Sequence, residues 1–426
     1  MQNPLARCTG AYLLVCLFCT TVHAEPEPGN AGPVIHLNEA IASTLARNPA
    51  LVGYGYQLEA QGARVQQAAL PPNPELELTV ENALGSGKFA GIDSAETTLS
   101  IAWILERGAR QRRVDTARAG SALLAAEADV MRVDAAAETA RRFVACLAGQ
   151  ARMANADEAV QLARETVEAI RQRVTAGRSA HAELARAQAE QARTELRRED
   201  IEHELLSAIH RLAAQWGETE PAFTRVSGDL LLLPRTTSFD SLATRIEQNP
   251  DFARFLSKQR LDDALLRLAE AERKPDWRVS AGVRRLAATD DQALVAGISM
   301  PLTLRNQNQG GIAAARAQAA GTEADTAAAR VSIRTSLFVM HQELEHALHR
   351  TRTLRDDVIP HIELALAEMQ RGYEHGRYSY FEWRSVQTEL LEARSDLVEA
   401  IIDAHLRIIE LERLTGQSVT QQPTSR

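Results

Sequence analysis

The residues best suited to chemistry in this chain are acidic and imidazole side chains on one predicted helix. Glu345 and His346 precede His349 by four and three positions, and His341 lies one further turn back. Helical spacing brings such residues to one face, where they could share a zinc ion. A solvated helix face explains the same pattern more simply, so we assign no metal ligands here.

No enzyme signature occurs in the 426 residues. The sequence has no glycine-rich phosphate loop, nucleophile elbow or zinc-protease motif, so we expect no catalytic residues, no cofactor and no enzymatic activity. A net charge of −8 gives no basic surface for nucleic acid. Aromatic residues make up only 4% of the chain, which favours long helices over a conventional mixed core.

Two short glycine turns are better candidates for a functional contact. Gly177-Arg178 and Gly376-Arg377 each separate two helical patterns, and glycine permits the left-handed conformation that ends a helix. The polar residues around the second turn are Arg371, Tyr373, Glu374, Arg377 and Tyr378. Solvation of an exposed turn is the alternative interpretation of these residues.

The two turns belong to an internal repeat that spans most of the chain. Asn48 matches Asn249, Gly177 matches Gly376, and Gly217 matches Gly416, at offsets of 201, 199 and 199 residues. A register held over such distances indicates duplication of one unit rather than chance similarity between helices.

Pro360 has Gln161 as its counterpart, and proline removes a helical hydrogen bond. We therefore expect the second long helix to bend more than the first.

Both units follow the same order of predicted elements, which gives a mainly α fold with four strands. Each has a helix, two strands, a long helix, a tight turn and a closing helix. The ranges are 37–70, 74–83, 94–103, 107–174 and 180–216, then 238–272, 275–285, 293–302, 309–374 and 380–415. The predicted segments are a signal peptide 1–24, a linker 25–36, a first repeat 37–217, a connector 218–237, a second repeat 238–416 and a tail 417–426.

The strands alternate strictly between apolar and polar residues. Leu76, Leu78 and Val80 share one face of the first strand, with glutamates opposite. About ten residues is the length of a tilted membrane strand, although a half-buried soluble hairpin shows the same alternation. Trp103 ends one strand and Trp277 begins another, so both are expected at one membrane interface.

Four strands cannot close into a barrel, and an open edge in lipid leaves backbone groups unpaired. Several chains must therefore share one barrel. Two chains would supply eight strands, whose interior is filled by side chains, whereas three would supply twelve and leave a lumen. A duct therefore favours at least a trimer.

The first residues predict export. Arg7 precedes the apolar run 11–22, and Val22-His23-Ala24 offers a cleavage site. The run is shorter than the ~20 residues of a spanning helix, which argues against a retained anchor. Neither Cys16 nor Cys19 follows a small residue, so lipidation is not predicted. Cys146 then remains as a single cysteine, expected to be a buried apolar residue.

The duplicated arrangement resembles the TolC-like outer-membrane efflux proteins over nearly the whole mature chain. The matching landmarks are Leu45-Ala46-Arg47-Asn48-Pro49 and the tip sequence from Gly372 to Ser379. The resemblance implies a homotrimer with a twelve-stranded barrel in the outer membrane and a helical tunnel in the periplasm. It also implies docking onto a periplasmic adaptor and an inner-membrane pump of the resistance-nodulation-division type.

A narrower resemblance is to the outer-membrane component of cobalt-zinc-cadmium cation exporters. It is carried by the segment 70–76, by Glu81-Asn82 with Gly85-Ser86-Gly87, and by Leu105-Glu106-Arg107-Gly108 with Arg110 and Arg113. The subgroup usually has a second glycine and a lysine in this last motif, where Ala109-Arg110 stands here. The resemblance implies export of heavy-metal cations. A drug-efflux or secretion duct and a periplasmic helical scaffold remain the alternatives.

The resemblance also implies roles for the tips. In this family, polar residues at the second tip hold the periplasmic entrance shut, which makes Arg371, Tyr373, Glu374 and Arg377 gate candidates. Gly177, Arg178 and Gly376 would be adaptor-docking turns. A bend at Pro360 would suit an iris-like closure of the inner helices.

Overall fold

The computed structural model describes residues 32–233 and 238–416. The predicted signal peptide and tail lie outside these residues, as do most of the linker and residues 234–237 of the connector. The elements of the first half are β1 (Val34–His36), α1 (Leu37–Arg47), α2 (Pro49–Ala68), β2 (Glu75–Glu81), β3 (Glu96–Leu105), α3 (Ala109–Thr175), α4 (His181–Ala213) and β4 (Arg225–Ser227).

Apart from β1 and β4, which have no counterpart in it, the second half repeats this order and confirms the duplicated, mainly helical fold. Its elements are α5 (Phe239–Ala243), α6 (Pro250–Ala271), β5 (Trp277–Leu286), β6 (Asp291–Ser299), α7 (Gln309–Thr353), α8 (Ile359–Glu374) and α9 (Tyr380–Thr415). The four longer strands form one antiparallel sheet in the order β2-β3-β5-β6, so the two halves are joined through β3 and β5.

The first helix of each half is broken where the sequence predicts it to be continuous. Asn48 and Asn249 have extended ψ angles of 123° and 131°. The residue before proline is excluded from helical geometry by the proline ring, and Pro49 and Pro250 therefore start new helices. The single helices predicted over 37–70 and 238–272 are wrong for this reason.

Each of the two asparagines also ties together two helix ends within its own half, at equivalent positions of the repeat. Each caps its helix, with Oδ1 accepting a hydrogen bond from the backbone N–H of Ala50 or Asp251. Each Nδ2 donates to a backbone carbonyl at the end of a distant helix, to Gln215 at 2.7 Å and to Leu414 at 2.8 Å. One side chain thus provides hydrogen-bond partners for unpaired backbone groups at two helix ends.

The long helix α3 is the longest element of the first half, and other helices pack along it. Its 67 residues span about 100 Å at the usual helical rise. It contacts α4 and α6, and α9 contacts both α7 and α8. The two main apolar clusters lie near the middle of this length and are related by the repeat. The first gathers around Phe143, Leu212 and Trp216, and the second around Leu344, Ile408 and Leu411.

A two-stranded parallel ladder, which the sequence does not predict, ties the N-terminal segment to the connector. β1 pairs with β4, and Gln150 of α3 hydrogen-bonds both backbone groups of Val226. Cys146 lies in the same cluster, and burial raises the pKa of its thiol to about 12. The expectation of a buried, apolar cysteine is confirmed.

We predict that Asn249→Ala lowers the free energy of unfolding by about 2 kcal/mol, because it removes a cap and leaves the Leu414 carbonyl buried without a partner. Asn48→Ala should lower the free energy of unfolding by only about 1 kcal/mol, since Asn48 is partly accessible to solvent. Thermal unfolding of the detergent-solubilised protein measures both. Asn73→Ala, in an exposed loop, is the control. Equal melting temperatures for all three variants would contradict the proposed fastening.

Candidate functional site

The two helical tips have the same backbone geometry. Gly177 and Gly376 adopt positive φ angles of 69° and 74°. The next residue in each tip donates its N–H back to the last helical turn, from Arg178 to Arg173 and from Arg377 to Gly372, both at 2.8 Å. This is a Schellman ending, and it places the following helix antiparallel to the preceding one.

Only the second tip has a side-chain cap on its returning helix. The Ser379 hydroxyl accepts from the Glu382 N–H at 3.3 Å, and the Glu382 carboxylate accepts from the Ser379 N–H at 2.7 Å. The Ser379 N–H and the Ser379 hydroxyl, which also donates to the Glu382 carboxylate at 2.9 Å, lower the pKa of Glu382. Ala180 occupies the Ser379 position in the first tip, so its helix has no side-chain cap. The start of α9 is therefore more firmly fixed than that of α4.

An aromatic cluster, which we call the tip cluster, joins the two hairpins. It consists of Val167, Ile170, Ala187, Tyr373, Tyr380 and Trp383. The Tyr373 and Trp383 rings stack at 5.0 Å between centroids. Tyr373 is only 3% exposed, so it lies inside the chain's own core and not in a water-facing polar group. Its part in gating stays a prediction, but it must act through packing.

Arg173 is the tip residue that the sequence analysis missed. Its guanidinium lies 4.5 Å from the Tyr373 ring centroid and donates to the Tyr373 and Glu374 carbonyls at 2.6 and 3.3 Å. It also donates to the Ser179 hydroxyl at 3.2 Å. A cation at a helix C-terminus is favourable, and here it links α3 to the end of α8. Its repeat counterpart is Gly372, which gave no signal for this role.

The remaining gate candidates lie on the surface. Arg371 pairs with Glu368 of its own helix at 2.7 Å, with both side chains 63% exposed, and not with Glu374. Glu374, Arg377 and Arg178 are exposed. The structure thus brings these side chains to one end of the molecule without linking Arg371 to Glu374. Their gating and docking roles stay predictions.

Pro360 follows an irregular helical turn. Residues 354–358 between α7 and α8 form one π turn, in which the Ile359 N–H donates to the Leu354 carbonyl. Such turns mark places where a helix can bend. Gln161, the counterpart of Pro360, lies inside the uninterrupted α3 and donates to Glu165. The two halves therefore differ here, and both the greater bend at Pro360 and the role of this site in an iris stay predictions.

The four-stranded sheet presents one apolar face to its surroundings. The register places Leu78 beside Leu99, Leu99 beside Val283, and Val283 beside Leu294, all exposed. Trp277 pairs with Leu105, and Trp103 pairs with the adjacent same-face residue Val279. The two tryptophans are therefore diagonal neighbours at the helix-proximal end of the sheet. Their role at a membrane interface stays a prediction.

The opposite face of the sheet is charged. Arg278 contacts Glu75 and Glu77 at 2.5 and 3.5 Å, and Arg284 contacts Glu81 and Glu96 at 3.3 and 2.9 Å. Four carboxylates thus share two arginines.

Within residues 32–233 and 238–416, no helix has the length and apolar character needed to cross a membrane.

The subgroup motif at the start of α3 proves to be a strand-to-helix joint. Glu106 makes a two-pronged ion pair with Arg113, one contact being 3.0 Å, and the hydrogen bond with Glu106 raises the pKa of Arg113. Gly108 has a φ of 92°. The Arg107 N–H donates to Asp276 at the start of β5. These contacts fix the sheet relative to the helix.

The histidine pattern on α7 does not form a site. His341 is buried beside Phe239, whereas Glu345, His346 and His349 are exposed. In the part of the chain that the structure describes, no three histidine, cysteine or acidic side chains are placed to hold a metal ion.

This combination defines a class of protein. A duplicated unit with long helical hairpins at one end and an amphipathic sheet at the other is the fold of the TolC-like outer-membrane channels. The model of the outer membrane efflux protein family matches residues 40–218 and 243–417, and the chain belongs to that family. It is therefore an outer-membrane channel component of an efflux system, which confirms the resemblance seen in the sequence.

Individual relatives agree with this assignment. The chain is 26% identical over 389 residues to the cobalt-zinc-cadmium resistance protein CzcC of Cupriavidus metallidurans, covering 91% of each protein. It is 27% identical over 285 residues to the nickel and cobalt resistance protein CnrC of the same organism, covering 67% of each. The crystal structure of VceC from Vibrio cholerae has the same fold, with a TM-score of 0.71 at 18% identity over 90% of this chain and 96% of that one.

We expect Gly376→Val to abolish efflux while leaving membrane insertion intact. A β-branched residue at positive φ costs roughly 1–2 kcal/mol, which would distort the turn locally. A Cβ added at Gly376 would meet no other atom within 4 Å, so the effect comes from the backbone alone. Gly321→Val, on α7 with equally open surroundings and no positive φ, is the control. Wild-type efflux at wild-type abundance would argue against a functional tip.

Proposed function

We propose that this chain assembles as a homotrimeric exit duct that releases heavy-metal cations across the outer membrane. The observation that carries the proposal is the sheet, which has one apolar face, one charged face and two unpaired edges. In the sheet order β2-β3-β5-β6, the outer strands β2 and β6 each have only one partner. Lipid does not tolerate unpaired backbone groups, so β6 of one chain should pair with β2 of the next.

Three chains fit this requirement better than two. Twelve strands leave a water-filled interior, whereas eight are filled by side chains. The charged face would then line the lumen and the leucine-rich face would contact lipid. Exposed apolar residues on the helices support lateral packing between chains, namely Val52, Tyr56, Val331 and Phe338. In this arrangement Trp103 and Trp277 would anchor the barrel at its periplasmic interface.

The helical tips are the proposed contact with the other components. Arg178, Gly177 and Gly376 lie at the end opposite the sheet, exposed to a partner. We infer that a periplasmic adaptor docks there and couples the duct to an inner-membrane pump of the resistance-nodulation-division type. Arg371, Glu374 and Arg377 would then influence the entrance. The chain itself would be passive, without catalysis.

The proposed division into repeats 37–217 and 238–416, joined by the connector 218–237, is supported by the two family matches, which begin and end within a few residues of these limits. The signal peptide 1–24 remains a sequence prediction. Each repeat would contribute one hairpin to the barrel and one to the tunnel.

The names of CzcC and CnrC support heavy-metal cations as cargo. The sheet's charged face, with more carboxylates than arginines among its paired groups, is compatible with cation passage, and exposed charges bind weakly enough to release. A drug-efflux or secretion duct of the same fold remains the second candidate, because the pump selects the substrate. In a periplasmic scaffold protein, the apolar face of the sheet would be exposed to water, which argues against this alternative.

A pair of adjacent substitutions tests the membrane-facing assignment. Leu78→Arg on the apolar face should reduce recovery of trimer from outer membranes, because arginine facing lipid costs about 2–4 kcal/mol near the bilayer centre. Thr79→Arg on the opposite face should be tolerated, since it would face water near Glu77 and Glu81. Gel filtration and crosslinking in mild detergent measure assembly. Equal assembly of both variants would contradict the lipid-facing role.

A growth experiment tests the cargo. Deleting the gene should sensitise its host to Co²⁺, Zn²⁺ or Cd²⁺, and the wild-type gene should restore resistance and lower cell-associated metal. Gly321→Val should restore it equally, whereas Gly376→Val should not. Unchanged metal tolerance together with increased sensitivity to organic drugs would favour the second candidate instead.

A further inference from the structure

Two carboxylates lie directly opposite each other on the charged face of the sheet. Glu81 ends β2 and Glu96 begins β3, and the two are register partners in this antiparallel pair. Like charges at such positions destabilise a sheet. Carboxylate oxygens are also the ligands that hard divalent cations prefer. In the proposed duct, such a pair would retain its cargo unless another charge occupied it.

Arg284 of β5 occupies this pair. Its Nη1 donates to Glu96 at 2.9 Å, its Nη2 donates to Glu81 at 3.3 Å, and its Nε donates to the Thr98 hydroxyl at 2.9 Å. Asn82 donates to the other carboxylate oxygen of Glu96 at 3.0 Å. Every nitrogen of the guanidinium is thus engaged, and its forked shape bridges two carboxylates in a way that a lysine ammonium does not. The Glu81-Asn82 motif of the sequence belongs to this contact.

The middle strand β3 is built so that arginine side chains can cross it. Arg284 reaches from β5 over β3 to β2, and its register partner Thr98 is only 6% exposed although it lies on the charged face. Arg278 makes a second crossing nearer the helices and contacts Glu75 of β2. The register partner of Glu75 on β3 is Ala102, which is 2% exposed. Small side chains on β3 therefore leave room for both crossings.

The two arginines do not neutralise the charged face completely. They contact four carboxylates, so two negative charges remain in excess and the face still attracts cations. Each carboxylate nevertheless has a cation tethered beside it at a high effective concentration. An ion in transit must displace that guanidinium. Its apparent affinity is therefore reduced by the fraction of time in which the carboxylates are free.

We propose that Arg284 and Arg278 are built-in counter-ions that stop the carboxylates of the charged face from retaining divalent cations, so that this face attracts cargo and then releases it. The placement of the face in a lumen and the nature of the cargo rest on the proposed function. The competition between arginine and a divalent cation is a property of the sheet itself. Removal of either arginine should convert the carboxylates that it contacts into a cation trap.

Binding of Mn²⁺ to the detergent-solubilised full-length protein tests this competition. Mn²⁺ prefers carboxylate oxygens, and electron paramagnetic resonance measures the free ion that remains. We expect Arg284→Gln to bind an additional Mn²⁺ ion per chain, at a concentration about tenfold lower than the wild type requires. Arg285→Gln, the same substitution on the opposite face of the same strand, should match the wild type.

Further variants keep the test decisive. Glu81→Gln combined with Arg284→Gln removes one carboxylate of the pair and should abolish the added binding. Where Arg284→Gln does not assemble, Arg278→Gln applies the same test to the carboxylates nearer the helices. Unchanged Mn²⁺ binding in either assembled arginine variant overturns the proposal, as does an equal gain in Arg285→Gln.

Planar-bilayer recordings connect the competition to transport. Mn²⁺ should reduce the K⁺ current through Arg284→Gln at concentrations that leave the wild type and Arg285→Gln unaffected, and tighter binding without such a block would overturn the role in transport. Mn²⁺ binding that changes as expected, with no channels formed by the wild type, would contradict the duct and leave the competition intact. Wild-type channels, with the same Mn²⁺ binding in all variants, would contradict the competition and leave the duct intact.

Discussion

The constraint on which this architecture depends is the pairing of backbone groups at the two edges of the sheet. β2 and β6 each have one partner within the chain, and the leucine-rich face of the sheet is exposed in the isolated chain. In the proposed trimer, further copies of the chain extend the sheet into a closed surface, so that the edge strands are paired and the apolar face contacts lipid. The joint formed by Glu106, Arg113 and Asp276 then fixes the start of α3 to that sheet.

Periodicity and duplication allowed most of the fold to be predicted from sequence. Alternation in the strands identified both faces of the sheet, and the matched glycines identified both tips. The breaks at Asn48 and Asn249 were missed because the apolar pattern continues through them, although the effect of proline on the preceding residue was available. The ladder of β1 and β4 was missed because three-residue strands carry no period.

The candidate site was predicted less well, for a different physical reason. Glycine turns are local, so Gly177 and Gly376 could be found from their own neighbourhoods. The contact of Arg173 with Tyr373 joins residues 200 positions apart, and no local sequence pattern around either residue predicts it. Tyr373 was grouped with charged neighbours along the chain, yet a helix turns it away from them and into the tip cluster. Grouping residues by their proximity in the sequence therefore gave the wrong surroundings for Tyr373, because the direction of its side chain determines what it contacts.

The burial of Cys146 has a consequence for the kind of cargo proposed. Cadmium and zinc bind thiolates as soft ligands, and only the deprotonated sulfur coordinates them. A pKa of about 12 keeps this sulfur protonated at physiological pH, and the cluster around Phe143 and Trp216 covers it. Among the described residues it is the one cysteine, so no thiolate there is exposed to bind a soft cation. A duct for such ions would therefore not retain its cargo through sulfur.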